Sequence, residues 1–405
     1  MLASLNRVVW IITLLLLVYC PLFGEPLFQP LEHVVHFSPS ASQIYLGSPT
    51  LVRLDNGDLL AGMDMFGSNA PKPTVSLLFR SQDDGLTWRY VTDFKGSFWA
   101  NLFVHRGKVY YFGVSDSNGS IVIRRSEDGG QTWTDPVDEN SGLLFPAGPD
   151  AHYHCAPMPV VEYKGRLYRA FENNATQAWP AGFRSLVLSA DAQADLLKAS
   201  SWTMSNQLVY DQDTDPAEFA RDAEHLPGGR AAGWLEGNVV VAPDGRLLNI
   251  LRVNSLPVVD RAAVVEIQDE GRTVSFDPKT GFIEFPGGMT KFTIRQDSET
   301  GLYWTIANGN TNPANPTQRN ILSLYSSPDL REWAHLAVLL EDKADFDQIG
   351  NQSKVGFQYI DFQFDGEDII FLSRTAYQDA HNYHDANYMT FHRIEQFRTR
   401  FTPSK

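Results

Sequence analysis

The sequence predicts an all-β protein, a β-propeller of six four-stranded antiparallel blades, with seven blades as the alternative count. Three observations support this prediction: a repeated eight-residue turn motif, six strand–turn–strand units in one register, and a composition typical of β-sheet proteins. Aromatic residues make up 12% of the chain, beside 30 glycines and 23 prolines. Such a composition suits many short strands that are joined by tight turns.

The turn motif reads Ser-x-Asp-x-Gly-x-Thr-Trp and occurs at residues 81–88 and 126–133. The two copies begin about 45 residues apart, which is roughly the length of one four-stranded propeller blade. Within each copy the Ser and Asp side chains can bond the local backbone, the Gly permits the bend, and the Trp packs back on the sheet. Residues 326–333 form a weaker third copy, in which Pro328 stands where Asp is expected.

The strand–turn–strand units give the blade count. Each alternates apolar and polar residues around a turn that contains glycine, which is a hairpin signal. The six turn glycines are Gly57, Gly107, Gly165, Gly245, Gly301 and Gly366. Propeller closure pairs terminal strands in one blade, and residues 33–37 and 388–394 are the candidates for that pairing.

The same register predicts a functional rim. The first strand of each blade lines the central channel and the second strand returns, so residues before the first and after the second share one mouth. These positions are unusually polar and include His154, Glu236, Asp64, Glu172, Arg252 and Arg374. Glu236 and Arg252 occupy the two ends of one hairpin. Because a guanidinium binds a carboxylate through two parallel hydrogen bonds, Arg252 predicts either a ligand that carries a carboxylate or an ion pair with Glu236 across the hairpin.

The turn motif is the Asp-box of sialidases and their relatives, and the mature chain resembles that superfamily blade by blade. The run from Glu236 to Arg252 is similar to the sialidase segment that carries the glutamate assisting the nucleophile and one arginine of the carboxylate-binding triad. The resemblance implies a tyrosine nucleophile near Phe357, and Tyr359 lies two residues further along that strand.

Other parts of the sialidase pattern are missing from the chain. Gly47 stands where the resemblance implies the first-blade arginine of the triad. Residues 71–76, where it implies the acid, contain no carboxylate. The resemblance therefore predicts the propeller more firmly than the usual sialidase mechanism.

Histidines are concentrated in two rim segments. Of the ten histidines, His152 and His154 enter the third blade, and His381 and His384 follow the sixth hairpin. Imidazole transfers protons near neutral pH, so we expect His154 to be catalytic. We expect His152, His381 and His384 to bind substrate, together with Arg252, Arg374, Asp64 and Glu172. Metal ligation with Asp385 stays open, although no cofactor is required. Trp99, Trp234, Tyr153 and Tyr383 are candidates for sugar stacking.

Outside the propeller, residues 8–18 are apolar and follow Arg7, which predicts a cleaved export signal over residues 1–24. Residues 25–405 are then a single domain, in the periplasm or outside the cell, without stable membrane insertion. That domain has one cysteine, Cys155, and no internal disulfide. The net charge of −15 argues against a nucleic-acid partner.

These features predict an exported, monomeric, exo-acting glycoside hydrolase whose partner is an oligo- or polysaccharide containing sialic or uronic acid. The catalytic candidates are Glu236, His154 and Tyr359. Two alternatives remain at this point. One is a polysaccharide lyase that uses His and Tyr on uronate glycans, which the chain also resembles in general form. The other is a propeller that binds glycans without catalysis.

Overall fold

A computed structural model describes residues 25–218, 232–256, 258–312, 315–342 and 354–401. The predicted export signal at residues 1–24 lies outside the described residues. Across the described ranges, none of the helices has the length and apolar character needed to cross a membrane.

The regular secondary structure of the described residues is almost all β-strand, with short 3-10 helices and one short α-helix, α1 (Phe397–Phe401). In chain order the strands are β1 (Val34–Phe37), β2 (Tyr45–Arg53), β3 (Leu59–Phe66), β4 (Val75–Ser81), β5 (Arg89–Lys95), β6 (Phe98–His105), β7 (Lys108–Val114), β8 (Ile121–Ser126), β9 (Leu143–Phe145), β10 (Tyr153–His154), β11 (Val161–Tyr163), β12 (Arg166–Asn173), β13 (Arg184–Asp191), β14 (Trp202–Met204), β15 (Leu208–Val209), β16 (Gly233–Val241), β17 (Leu247–Asn254), β18 (Arg261–Gln268), β19 (Thr273–Ser275), β20 (Phe282–Glu284), β21 (Thr293–Gln296), β22 (Tyr303–Ala307), β23 (Ile321–Ser327), β24 (Ala334–Glu341), β25 (Gly356–Asp365), β26 (Asp368–Ala376) and β27 (Tyr388–Ile394).

The strands form six antiparallel sheets, which confirms the six-bladed prediction against seven. Five sheets run through the chain in sequence, from β2–β5 to β21–β24, and short extra strands flank the third and fourth. The sixth sheet has the order β1-β27-β26-β25, so the first strand of the chain completes the last blade. The ring is thus closed by pairing the two ends of the propeller, as residues 33–37 and 388–394 predicted.

The turn chemistry explains the register of the blades. All six hairpin glycines have φ between +62° and +90°, a region that other residues enter only with strain. Among the motif turns, Asp83 accepts hydrogen bonds from the backbone and hydroxyl of Thr87, and Trp88 Nε1 donates to the carbonyl of Gly85. The copy at residues 126–133 repeats these bonds. These hydrogen bonds therefore stabilise the turns that connect the third and fourth strands of their blades.

The third copy of the turn is shifted by one residue from the sequence-based alignment. Ser327 and Asp329 take the Ser and Asp roles, with Ser327 Oγ 3.1 Å from Asp329 Oδ1. Leu330, at φ +68°, occupies the left-handed position that glycine has in the other copies. Pro328 is therefore not in the Asp position. This third copy is one residue shorter than the other two, and it keeps its carboxylate in Asp329.

Four of the innermost strands carry the same irregularity at the channel mouth. In β2, β6, β16 and β25 the pairing register shifts by a β-bulge, and one residue of each bulge has a positive φ. These residues are Ser48 (φ +47°), Trp99 (+49°), Glu236 (+58°) and Tyr359 (+54°). Bulges re-aim side chains, and non-glycine residues in this conformation concentrate at functional sites. The four bulges therefore mark one face of the propeller.

Two residues beyond each bulge residue, a buried polar side chain ties neighbouring blades together. Asp361 Oδ2 accepts the backbone N–H of Leu51 at 2.9 Å, across the joint between the last and first blades. Thr50 Oγ1 in turn accepts the N–H of Leu102 at 2.7 Å, and Asn238 Oδ1 accepts that of Ile294 at 3.0 Å. The side chains of Thr50, Asn238 and Asp361 are fully buried.

We expect Asp361→Ala to lower the free energy of unfolding by about 2–4 kcal/mol, because it leaves the Leu51 N–H and the Arg295 guanidinium without their carboxylate. Thermal unfolding measures the effect. Asp84→Ala is the control, since Asp84 is 70% exposed and its ion pair with Arg53 is worth little. Equal melting temperatures for the two variants would contradict the role given to Asp361.

Candidate active site

The four bulges surround a cavity of about 1040 Å³ at the mouth of the channel. Every blade contributes to its wall, and its size suits a small ligand or the end of a sugar chain. The ionisable side chains in the wall include Asp64, His154, Glu236, Arg252, Arg319, Tyr359, Arg374 and His384. Most of these side chains are buried in the protein and reach solvent only through this cavity.

Tyr359, Glu236 and Arg252 form the centre of the cavity. The Tyr359 hydroxyl donates to Glu236 Oε1 at 2.6 Å, and Arg252 Nη1 donates to Glu236 Oε2 at 2.9 Å. Arg252 Nη1 also lies 3.5 Å from the Tyr359 hydroxyl oxygen, while its Nε donates to the Met289 carbonyl. The bulges of β16 and β25 bring Glu236 and Tyr359 together from blades that are far apart in sequence.

The electrostatics of this triplet favour an ionised glutamate beside a neutral tyrosine. Burial alone would raise the pKa of the Glu236 carboxyl, but the charge of Arg252 and the bonds from Tyr359 and Arg252 hold that pKa below its ordinary value. Burial and the Glu236 charge raise the pKa of Tyr359 to about 12. The carboxylate is therefore placed to take the hydroxyl proton when the tyrosine reacts.

Asp64, on β3, is a second candidate for proton transfer. It is 1% exposed, and burial raises its pKa to about 7, despite hydrogen bonds from Ser76 and from the Trp99 backbone N–H. Ser76 Oγ lies 2.6 Å from Asp64 Oδ1 and 2.7 Å from the Ser97 carbonyl oxygen. One hydroxyl hydrogen cannot serve both acceptors, so protonated Asp64 donating to Ser76, and Ser76 to Ser97, satisfies all three groups.

Two further arginines reach the cavity without a carboxylate among their recorded partners. Arg319 donates to Gln358 Oε1 and to the carbonyls of Thr317 and Gln318. Arg374 donates to the His384 carbonyl and lies over the Tyr359 ring, with 4.9 Å from guanidinium carbon to ring centroid. Burial lowers the pKa of both arginines, that of Arg319 to about 10 with a further contribution from Arg252. The cavity thus holds two buried guanidinium groups whose recorded hydrogen bonds go to neutral oxygens.

Gly47 lies beside the Phe66 ring and the Arg374 guanidinium. A Cβ on Gly47 would lie 3.8 Å from Arg374 Nη1 and 3.2 Å from the Phe66 ring, over which the Arg374 guanidinium packs. The first blade therefore leaves a space where the resemblance implied an arginine, and the sixth blade places a guanidinium beside it.

His154 lies opposite, on the third blade. Its Nδ1 is 2.9 Å from Glu172 Oε2, and its ring packs against Trp99 and Phe183, at centroid distances of 4.3 and 4.7 Å. Glu172 Oε1 accepts the backbone N–H of Gly237 at 3.2 Å. Glu172 thus connects His154 to the bulge that carries Glu236.

The structure brings most of the predicted site residues together. Glu236, His154, Tyr359, Arg252, Arg374, Asp64 and His384 all line the cavity. Of the candidates for sugar stacking, Trp99 and Tyr383 line it too. Trp234 and Tyr153 instead pack in the hydrophobic core between blades.

Three predicted substrate-binding residues lie outside the cavity wall. Glu172 is not among the residues of the cavity wall, and its two carboxyl oxygens bind His154 and the Gly237 N–H. His152 binds the Pro149 carbonyl and faces Gln177. His381 is 65% exposed, where its Nδ1 pairs with Asp385 Oδ2 at 2.7 Å. The structure thus places these three side chains outside the cavity wall, and their contact with substrate stays a prediction.

The segment around His384 does not form a metal site in the described ranges. His381 and His384 both turn Nδ1 toward the carboxylate of Asp385. The Arg374 charge and burial lower the pKa of His384 to about 4. Among the described residues, no group of three or more His, Cys, Asp or Glu side chains is arranged to hold a metal ion.

Arg319 is the site residue that sequence reasoning missed. It ends residues 310–319, a stretch rich in Asn and Pro. The available signal was its position two residues before β23, which puts it on the same rim as the ends of the returning strands.

Comparison with known proteins identifies the fold. No family model and no curated protein matches the chain. Among solved structures, it is similar to an α-L-arabinanase of Penicillium chrysogenum complexed with arabinobiose, at 14% identity, TM-score 0.53, and coverage of 91% of this chain and 99% of that one. It is also similar to an α-L-arabinofuranosidase of Fusarium graminearum complexed with an iminosugar inhibitor. Here the identity is 13% and the TM-score 0.57, with coverage of 90% of this chain and 97% of that one. For Trypanosoma rangeli sialidase, complexed with sialic acid, the identity is 15% and the TM-score 0.57, with coverage of 91% of this chain and 59% of that one. The chain has the sialidase-like propeller fold.

Proposed function

We propose that the protein is an exo-acting glycoside hydrolase for anionic sugars, with Tyr359 as nucleophile, Glu236 as its base and Asp64 as general acid. The observation that carries the proposal is the 2.6 Å hydrogen bond from the Tyr359 hydroxyl to Glu236 within a cavity that holds three buried arginines. A nucleophile bonded to a base that is itself held by a third group is the arrangement that covalent catalysis requires.

In the first half of the proposed reaction, Tyr359 Oη attacks the anomeric carbon and its proton passes to Glu236. The bond from that carbon to the leaving oxygen breaks, and Asp64 gives its proton to this oxygen. A covalent glycosyl–tyrosine intermediate, which is an aryl glycoside, and a free alcohol result. Asp64 suits the acid role because its pKa of about 7 keeps much of it protonated near neutral pH.

In the second half, water attacks the anomeric carbon while ionised Asp64 takes the water proton. The bond to Tyr359 Oη breaks, and Glu236 returns the proton to the phenolate. Arg252 lies 3.5 Å from this oxygen and would stabilise its negative charge. The sugar leaves with the anomeric configuration that it had on entry, because two displacements occurred.

The charge balance of the cavity supports an anionic substrate. Arg252 pairs with the ionised carboxylate of Glu236, whereas the recorded hydrogen-bond partners of Arg319 and Arg374 are neutral oxygens. A sugar carboxylate would supply the missing negative charge and fit the planar guanidinium groups. The similar structures are glycoside hydrolases, one of them with sialic acid bound, and support the broader class.

The shape of the channel supports action at a chain end. Thr50, Asn101, Asn238 and Asp361 are fully buried and do not line the cavity, and we infer that they close the channel beneath it. A glycan would therefore enter from one side, with its terminal sugar in the cavity. The apolar residues 8–18 support export as a further part of the proposal.

A panel of sialosides, uronate oligosaccharides and neutral arabinosides tests the proposal. We expect new reducing ends from an acidic glycan. An unsaturated uronate, detected by its ultraviolet absorbance, would instead identify a lyase. Binding without turnover would identify a non-catalytic glycan-binding propeller, and cleavage confined to neutral arabinosides would refute the anionic substrate.

We expect Arg319→Met to raise KM for the acidic substrate by about 10- to 100-fold, because one charge-assisted hydrogen bond to the carboxylate is lost. The methyl ester of the same substrate should be affected much less, since it has no charge to lose. Arg246→Met, at an arginine outside the cavity, is the matched control. An equal loss on acid and ester would contradict the role of Arg319.

A further inference from the structure

Glu172 and His154 form a dyad that the proposed reaction does not use. Glu172 is fully buried and His154 is 6% exposed, with its ring in the cavity wall. Glu172 Oε2 faces His154 Nδ1 at 2.9 Å, while Glu172 Oε1 accepts the Gly237 N–H. Within the described residues, His154 Nε2 has no recorded hydrogen-bond partner.

The dyad fixes the hydrogen-bonding character of the ring nitrogens. A carboxylate oxygen only accepts, so the proton of neutral His154 must lie on Nδ1. Nε2 then presents a lone pair. Since the aromatic rings of Trp99 and Phe183 pack against the imidazole, it cannot readily turn to exchange the two nitrogens.

The position of the dyad links it to both proposed proton-transfer groups. Gly237 follows Glu236 in the bulge of β16, so Glu172 supports the backbone that aims the base. The Trp99 backbone N–H donates to Asp64 Oδ2 at 2.7 Å, while the Trp99 ring packs on His154. His154 therefore faces the space between the acid and the base.

We propose that His154 Nε2 accepts a hydrogen bond from a ring hydroxyl of the substrate, and that Glu172 positions it by holding the Nδ1–H tautomer. This inference rests on the proposed function and narrows the substrate to a polyhydroxylated anionic sugar. The arginines bind the carboxylate, while His154 selects for a hydroxyl donor elsewhere on the same ring.

Glu172→Gln tests the tautomer directly. The glutamine carbonyl can still accept the Gly237 N–H, but its amide then donates to His154 Nδ1 and moves the ring proton to Nε2. The cavity would meet a donor in place of an acceptor, with little change in shape. Two-bond ¹H–¹⁵N spectra of histidine-labelled protein, with His154→Phe to assign the signal, should show Nδ1–H in the wild type and Nε2–H in the variant.

Kinetics test the contact with the hydroxyl. Glu172→Gln should lower kcat/KM on the acidic substrate by about 10- to 100-fold, mainly through KM. We then compare substrates that each lack one ring hydroxyl. With wild-type protein, kcat/KM should fall by a similar factor for one of them. With His154→Phe, the removal of that same hydroxyl should cause no further fall in kcat/KM. A wild-type Nε2–H tautomer, or equal losses along the series in both proteins, would overturn the proposal. If no glycan were cleaved, the proposed function would fail while the spectra still decided the tautomer.

Discussion

Tyr359→Phe is expected to lower kcat by about 10³-fold or more, because it removes the oxygen that forms the glycosyl intermediate. The fold should be retained. Glu236 keeps its 2.9 Å ion pair with Arg252, and the remaining ring still packs under Arg374. Initial rates on the acidic substrate, together with thermal unfolding, separate the loss of chemistry from a loss of structure.

Tyr383→Phe is the matched control for this variant. Tyr383 lines the same cavity and packs under the Arg319 guanidinium at 5.6 Å, but its hydroxyl has no part in the proposed reaction. Its kcat should stay within a few-fold of the wild type. Comparable activity of Tyr359→Phe and Tyr383→Phe would remove Tyr359 from the chemistry.

Asp64→Asn is expected to lower kcat/KM by about 10²- to 10⁴-fold on a substrate with a poor leaving group, since the amide cannot donate a proton to the leaving oxygen. An activated aryl glycoside needs little protonation of its leaving oxygen, so its kcat/KM should fall far less in the variant. Wild-type activity should fall as pH rises through about 7, the pKa of Asp64, and this alkaline decline should vanish in the variant. A variant that kept the decline would show that another group supplies it.

The same substitution is expected to stabilise the protein at alkaline pH. The pKa of Asp64 is about 7 in the fold against 3.8 as a reference value, so the folded state binds the proton more tightly. The stability that this proton gives is complete below the reference pKa and is lost as pH rises through about 7. Asparagine keeps the donor to Ser76 at every pH. Melting temperatures of the two proteins should agree near pH 4 and diverge, with Asp64→Asn higher, near pH 8.

Much of the fold could be predicted from local chemistry. The six hairpin glycines required positive φ, and each one lies at the turn of an inner hairpin. Placing the rim from these turns predicted that Glu236, Arg252, Asp64 and Arg374 share one mouth. Tyr359 came from the resemblance, and the structure explains its place: Phe357 is fully buried, whereas the bulge turns Tyr359 into the cavity.

The remaining features depend on contacts that sequence spacing does not encode. Glu172 was placed in the cavity because it ends a returning strand, but its carboxylate binds His154 and the Gly237 N–H behind the wall, and strand spacing does not predict these contacts. Arg319 was missed because it follows a loop and not a strand. The approach of Arg374 to Gly47 joins blades that are distant in sequence, and only the closed ring brings them together.

Trapping the glycosyl intermediate tests the central claim most directly. A fluorinated anionic glycosyl fluoride slows the second displacement more than the first, so the intermediate should accumulate. Peptide mass spectrometry should then find the sugar on Tyr359 in the wild type and on no residue in Tyr359→Phe. If the protein turned over the anionic substrate but the trapped sugar were found on Glu236, or on another side chain of the cavity, the account would be contradicted.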